Sequence, residues 1–167
     1  MVDVYVAAGS NVAPERNLHL AAKEIAQTFP GARFSNAYKN AAVGFEGEDF
    51  INFVVGFSTD WPVEDVVTEL QRIEGLCGRT RDAPKWAPRS MDLDILLFGD
   101  RICDLPGLVL PRPDLLKRPY MLGPTAELAP NFIHPTRLLT MAQLWESFDR
   151  AAHPMTRVDI GLDVLVA

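Results

Sequence analysis

Lys85-Trp86-Ala87-Pro88-Arg89-Ser90-Met91-Asp92-Leu93-Asp94-Ile95-Leu96-Leu97-Phe98-Gly99-Asp100 is the stretch from which the fold of this chain is read. Its second half has the composition of a β-strand, rich in Leu, Ile and Phe and closed by Gly-Asp. Side chains alternate along a strand, so Asp92 and Asp94 share one face while Leu93, Ile95 and Leu97 share the other. At a rise of about 3.3 Å per residue the two carboxylates start about 6.5–7 Å apart at their Cα atoms. Both can then reach one divalent cation or a close pair of them. Two like charges on an apolar strand repel each other and are costly to desolvate, and a bound cation relieves both problems. On spacing alone, Asp-Leu-Asp reads first as the start of a strand whose outer face meets water.

The residues just before it change that balance. Arg79, Arg81, Lys85 and Arg89 place four cations in eleven residues, opposed only by Asp82. Gly78, Pro84 and Pro88 make the segment a loop. A basic loop feeding an acidic strand edge suits a metal-nucleotide complex, in which carboxylates hold the metal and guanidiniums hold phosphate oxygens.

Working outward, the 167 residues predict one domain spanning 1–167 with a full core. The apolar content of 48% and charged content of 23% are those of a soluble globular protein. The net charge of −6 argues against a general nucleic-acid binder, so the basic loop suits a small anionic ligand. Two cysteines, Cys77 and Cys103, without metal-ligand spacing fit a reducing compartment. No basic leader and no apolar run of membrane-spanning length is present, so the expectation is a cytoplasmic protein, monomeric and away from membranes.

In chain order, residues 2–8 alternate as a strand that ends in Gly9-Ser10-Asn11, read as a turn with a structural role. Residues 14–29 predict a helix, with Pro14 in its first turn and Leu18, Ala21, Ala22, Ile25 and Phe29 as its apolar stripe. Residues 32–38 predict a second strand, followed by a long connection over 39–49 with three acidic residues and two glycines. Residues 50–59 predict a third strand, in which Asn52 interrupts an apolar run. Such an Asn usually pairs with a neighbour, but its amide both donates and accepts and so matches a heterocycle edge. Phe50, two residues earlier, shares its face and is placed to stack on a ring.

A second helix starts near Asp60-Trp61-Pro62, and its residues Gln71 and Glu74 share a face off the buried stripe. After the central stretch, 101–103 is expected to begin a return strand, 106–113 to be extended and irregular, and 114–118 to form a helical turn. A third helix is expected over 141–150, with Met141, Leu144, Trp145 and Phe148 in the core. The tail over 151–167 reads equally as a late strand or an interaction segment. His19 falls outside its helix's apolar stripe and receives no role. The pattern alone gives a sheet with helices.

The stretch 85–96 resembles the signature of the 6-hydroxymethyl-7,8-dihydropterin pyrophosphokinase family: a basic residue, any residue, Gly or Ala, Pro, Arg, two variable residues, Asp-Leu-Asp and two aliphatics. The likeness runs without a gap there and extends from Val4 to about Pro130. It implies an α+β, ferredoxin-like sandwich whose mostly antiparallel sheet is flanked by helices. It implies transfer of pyrophosphate from ATP to 6-hydroxymethyl-7,8-dihydropterin, releasing AMP, in folate biosynthesis. Carried over residue by residue, the catalytic groups are Arg81, Arg89, Asp92 and Asp94, with Asp92 and Asp94 holding two Mg2+ ions. Asn40, Val43, Phe50, Asn52, Trp86 and Tyr120 line the pterin pocket. Gln71, Glu74, Arg79, Arg81, Lys85, Arg89, Ile95, Arg112 and Arg118 surround the nucleotide.

Three departures from the family pattern stand out. Asn40-Ala41-Ala42 replaces a Pro-containing sequence, Lys85 replaces a common Arg and loses its bidentate fork, and Arg112-Pro113 replaces a His-Tyr found in some relatives. Two other readings are a different metal-dependent nucleotidyl transferase and a non-catalytic pterin or nucleotide sensor. Phe50, Asn52 and Tyr120 argue against the first, and the intact carboxylate pair argues against the second.

Overall fold

The computed structural model describes residues 1–40, 49–78, 91–152 and 154–162. Strand β1 (Val2–Ser10) leads to helix α1 (Pro14–Thr28), then to β2 (Arg33–Phe34), β3 (Ala37–Asn40) and β4 (Phe50–Thr59). Helix α2 (Val63–Leu76) and β5 (Asp92–Phe98) complete the central unit. The main sheet runs β5-β1-β4-β3-β8, where β8 is Thr156–Val158, and β2 pairs with β4 beside β3. Every pairing is antiparallel. Two crossovers, β1-α1-β3 and β4-α2-β5, each skip one strand position, which is the ferredoxin-like topology.

Alternation sorts the strands onto two cores. Val4, Val6 and Ala8 of β1, with Phe53, Val55 and Phe57 of β4, pack against Leu18, Ile25, Val66, Leu70 and Ile73 of α1 and α2. Tyr5, Ala7 and Val54 point the other way, against Met121 and Leu122 of α3 (Pro119–Leu128) and Met141 and Leu144 of α4 (Met141–Glu146). Helices therefore cover both faces of one sheet. Phe53 is fully buried, and truncating such a side chain to Ala costs about 3–5 kcal/mol. Among the described residues no helix is long and apolar enough to cross a membrane.

Strand β5 carries a bulge. Tyr5 pairs with Leu97 and Val6 with Ile95, so Leu96 is the extra residue. Leu93 and Ile95 face α1 and α2 below it, while Leu96 and Leu97 both join the opposite core above it, so the bulge takes Leu97 off the face that alternation expects it to share with Leu93 and Ile95. The backbone N–H of Arg112 donates to the Leu96 carbonyl at 2.9 Å, so the bulge anchors the segment that follows the β6–β7 hairpin (Cys103–Leu105 and Leu108–Leu110).

Several sequence expectations are corrected. The second strand is two short ones, because Ser35 leaves the ladder and its Oγ accepts the Val54 N–H at 2.9 Å. The return strand after Gly99 begins at Cys103 and pairs with β7, so 106–113 is partly a hairpin. Helix α2 has Pro62 at its N-cap with no side-chain cap, and the Thr59 hydroxyl instead accepts the Trp61 N–H. Helix α4 ends at Glu146, short of the expected 150; Thr140 and Gln143 form a reciprocal capping box at its start. Helix α3 is absent from the sequence expectations, which place only a helical turn over 114–118 ahead of it. Here Gly123 is needed for packing: a Cβ there would meet the Trp145 ring at 2.9 Å. Within the tail, Thr156–Val158 form a late strand paired with β3, and His19 of α1 hydrogen-bonds the Ile160 carbonyl beyond it.

Candidate active site

The register places the functional side chains on the sheet face covered by α3. Gly9 of β1 pairs with Asp92 of β5 on one side and Asn52 of β4 on the other, and Asn52 pairs in turn with Tyr38 of β3. Directly paired residues point to one face, so Asp92, Asn52 and Tyr38 form a row across four strands. Asp94 stands in the next row, beside Ala7 and Val54. Both aspartates are half-buried, and Leu93 and Ile95 are buried on the opposite face, as alternation predicts.

Gly9 keeps that row open. A Cβ on Gly9 would lie 2.7 Å from Asn52 Oδ1 and 3.8 Å from the Phe50 ring. Gly9 lies inside β1, paired on both sides, so its glycine is required by close approach and not by the turn expected from Gly-Ser-Asn. Asn52 is buried; its Nδ2 donates to Asn40 Oδ1 and, at 3.4 Å, to the Tyr38 carbonyl. Asn40, expected in a loop, ends β3 opposite Phe50. Glu127 of α3 fastens this end of the sheet, accepting from the Tyr38 hydroxyl and the Asn36 N–H at 2.8 Å each.

Tyr120 sits in the first turn of α3 with Pro119 ahead of it. Burial pushes its phenol pKa up; Arg118 pulls it down, and Asp114, Asp94 and Asp92 add to the rise. The phenol thus stands neutral in the field of both site carboxylates.

On the other side of β5 lies a cavity of about 260 Å³ between α2, β5 and β7. Leu70, Ile95 and Leu108 supply apolar wall. Gln71, Glu74, Asp94 and Arg112 supply the polar groups, so four of the residues expected around the nucleotide share one cavity with one of the expected metal ligands. Glu74 has a second task that the sequence did not disclose: its Oε2 accepts the Leu93 N–H at 2.8 Å. Leu93 is the residue between the two aspartates, so α2 holds the strand at the carboxylate pair. Arg112 bridges two carboxylates, with Nη1 3.7 Å from Asp94 Oδ1 and Nε 3.2 Å from Asp114 Oδ2. Asp114 was likewise not singled out from the sequence. Arg118, half-buried at the N-cap of α3, acts on Tyr120. Val43, Arg79, Arg81, Lys85, Trp86 and Arg89 lie outside the described residues.

The donor set fits Mg2+. Among the described residues no group of three or more His, Cys, Asp and Glu is arranged to hold a metal, and the pair on β5 offers oxygen alone. Mg2+ takes one or two carboxylates and completes its shell with water and substrate phosphates, whereas a structural zinc site needs four protein ligands.

A ferredoxin-like sheet with a carboxylate pair beside an apolar-walled cavity, and a buried amide on the same face, has the layout of a small-molecule transferase. The chain belongs to the 7,8-dihydro-6-hydroxymethylpterin-pyrophosphokinase (HPPK) family, whose model matches residues 5–130. It is 39% identical over 136 residues to the 2-amino-4-hydroxy-6-hydroxymethyldihydropteridine pyrophosphokinase of Pseudomonas aeruginosa, covering 79% of this chain and 83% of that one. The Haemophilus influenzae protein of the same name is 32% identical over 163 residues, covering 95% and 99%. Among solved structures, the chain matches an HPPK-DHPS in complex with substrates at a TM-score of 0.67 and 12% identity, over 90% of this chain and 44% of that one. Plasmodium falciparum HPPK-DHPS with pteroate gives the same TM-score, over 87% and 44%. The chain thus spans less than half the length of these two solved chains, and the likeness to them is one of fold.

Proposed function

We propose that this chain transfers pyrophosphate from ATP to 6-hydroxymethyl-7,8-dihydropterin. The observation that carries this reading is the row Asp92–Gly9–Asn52, which sets an expected metal ligand and an expected pterin reader on either side of one residue that has no side chain. In the reaction the hydroxymethyl oxygen bonds to the β-phosphorus of ATP. The bond from that phosphorus to the α,β-bridging oxygen breaks, AMP leaves, and the hydroxyl proton passes to water.

Asp92 and Asp94 would hold two Mg2+ ions, which when bound would neutralise phosphate charge and lower the pKa of the attacking hydroxyl. Asn52, fixed by Asn40 and the Tyr38 carbonyl, would present its amide to the pyrimidine edge of the pterin. Phe50 and Tyr120 would supply aromatic surface to the ring. Gln71, Glu74 and Ile95 would line the nucleotide end, with Arg112 and Arg118 toward phosphate. Arg79, Arg81, Lys85 and Arg89 would add charge to the phosphates and Trp86 would cover the substrates. Transfer of this kind rests on positioning and electrostatics, so a dedicated general base is not required.

The test is to mix the protein with ATP, Mg2+ and the hydroxymethyl dihydropterin and measure AMP. AMP that appears only with pterin and vanishes with chelator supports the reading. ADP in place of AMP means γ-phosphoryl transfer and contradicts it.

A further inference from the structure

Arg112 occupies an unusual position: one guanidinium stands against the carboxylate that is to receive a metal. Its Nη1 is 3.7 Å from Asp94 Oδ1 while its Nε is 3.2 Å from Asp114 Oδ2. Its main chain is fixed to β5 through the 2.9 Å bond to Leu96, so the side chain alone is free to change partner. That side chain is about one-third exposed and lines the cavity with Gln71 and Glu74, within reach of anything that enters. A guanidinium and a divalent cation on the same carboxylate oxygen repel each other, and the attraction that each gains there is one the other loses.

We propose that Arg112 is a resident counter-cation of Asp94, released to the nucleotide's phosphates when metal arrives. Its charge beside Asp94 opposes metal binding without nucleotide. The entering triphosphate offers the guanidinium a better, bidentate acceptor. Asp114 is the second anchor that holds the side chain between its two positions. Metal and nucleotide then bind with positive coupling, each tightening the other by the same factor. The inference rests on the reading of Asp94 as a metal ligand.

Mn2+ serves as the probe, its binding followed by electron paramagnetic resonance, alone and with a non-hydrolysable ATP analogue, on protein whose thermal melt shows it folded. Arg112→Gln should bind Mn2+ alone about three- to tenfold tighter than wild type, and the tightening by nucleotide should shrink by a similar factor. Arg112→Lys, which keeps the charge but not the fork, should bind Mn2+ alone less tightly than Arg112→Gln does. Asp114→Asn should weaken Mn2+ binding in the wild-type background, because Arg112 then rests on Asp94 alone, and should do so much less in the Arg112→Gln background. Equal effects of Asp114→Asn in both backgrounds would mean a direct field on the metal and overturn the exchange. Unchanged Mn2+ affinity in Arg112→Gln would also overturn it, while leaving Asp94 as a ligand. A wild-type protein that binds no Mn2+ even with nucleotide would overturn the metal reading itself.

Discussion

Glu74 Oε2 accepts the backbone N–H of Leu93 at 2.8 Å, so helix α2 is tied to the one peptide that lies between Asp92 and Asp94. The family resemblance sets Glu74 among the residues expected around the nucleotide, and its side chain lines the cavity beside β5. The bond gives it a positioning task as well. Glu74→Ala leaves a half-buried N–H without its carboxylate partner, a loss of about 1.5–3 kcal/mol for a hydrogen bond to a charged group. Urea unfolding should show that loss, and turnover should fall by more than nucleotide affinity does. Glu74→Gln keeps an acceptor and should recover most of the stability.

Gly9→Ala should weaken pterin recognition at small cost to the nucleotide site. The new methyl would meet Asn52 Oδ1 at 2.7 Å and drive that side chain from its place beside Asn40. Pterin affinity, followed by fluorescence titration, should fall by about tenfold or more, the loss of one well-made polar contact. Gly75→Ala is the contrast. Nothing lies within 4 Å of a Cβ there, inside helix α2, and the change should stabilise the protein by about 0.5–1 kcal/mol.

Tyr120→Phe should keep pterin affinity near wild type, because the raised phenol pKa makes the group a neutral ring at working pH. Tyr120→Ala should cost about 1–3 kcal/mol of binding, the range for stacking a base on an aromatic side chain. Equal losses in both variants would show that the hydroxyl, and not the ring, is what the substrate meets.

His134 gives the fold a pH dependence of its own. It is buried, its Nδ1 accepts the Thr136 and Arg137 N–H groups, and burial followed by the Arg137 charge pushes its pKa down. The imidazole stays neutral in the folded chain while the unfolded chain takes a proton below about pH 6.5. Stability is therefore full above that pH and is lost as pH falls toward the lower folded value. His134→Asn offers an acceptor to the same two N–H groups without titrating. Between about pH 7.5 and 5.5 its unfolding free energy should fall less than that of wild type.

How much of this was legible in the sequence depends on what each signal measures. Apolar composition found β4 and β5, because strands buried on both faces read as continuous apolar runs, while alternation found β1 and the strand period gave the shared face of Asp92 and Asp94. Helical spacing found the stripes of α1 and α2. It missed α3, where Gly123 makes room for the Trp145 ring, a contact 22 residues away in the chain (145 − 123). Gly9 read as a turn residue, since a lone glycine does not disclose which side chain it makes room for. Glu74 and Asp114 were hidden likewise: a carboxylate's partner across the fold leaves no mark on local spacing. The Asp-Leu-Asp signature and its basic loop carried the functional reading, while strand register supplied the neighbours.

The most direct test of the account is the Asp92→Ala variant, measured for AMP release and for pterin affinity in the same preparation. Turnover should fall by at least about a thousandfold, as expected when a metal ligand is removed from an electrostatically driven transfer. Pterin affinity should stay within a few-fold of wild type, because Asn52, Gly9 and Phe50 are untouched. Turnover near the wild-type rate would contradict the account, since the carboxylate row on β5 would then hold nothing the reaction needs.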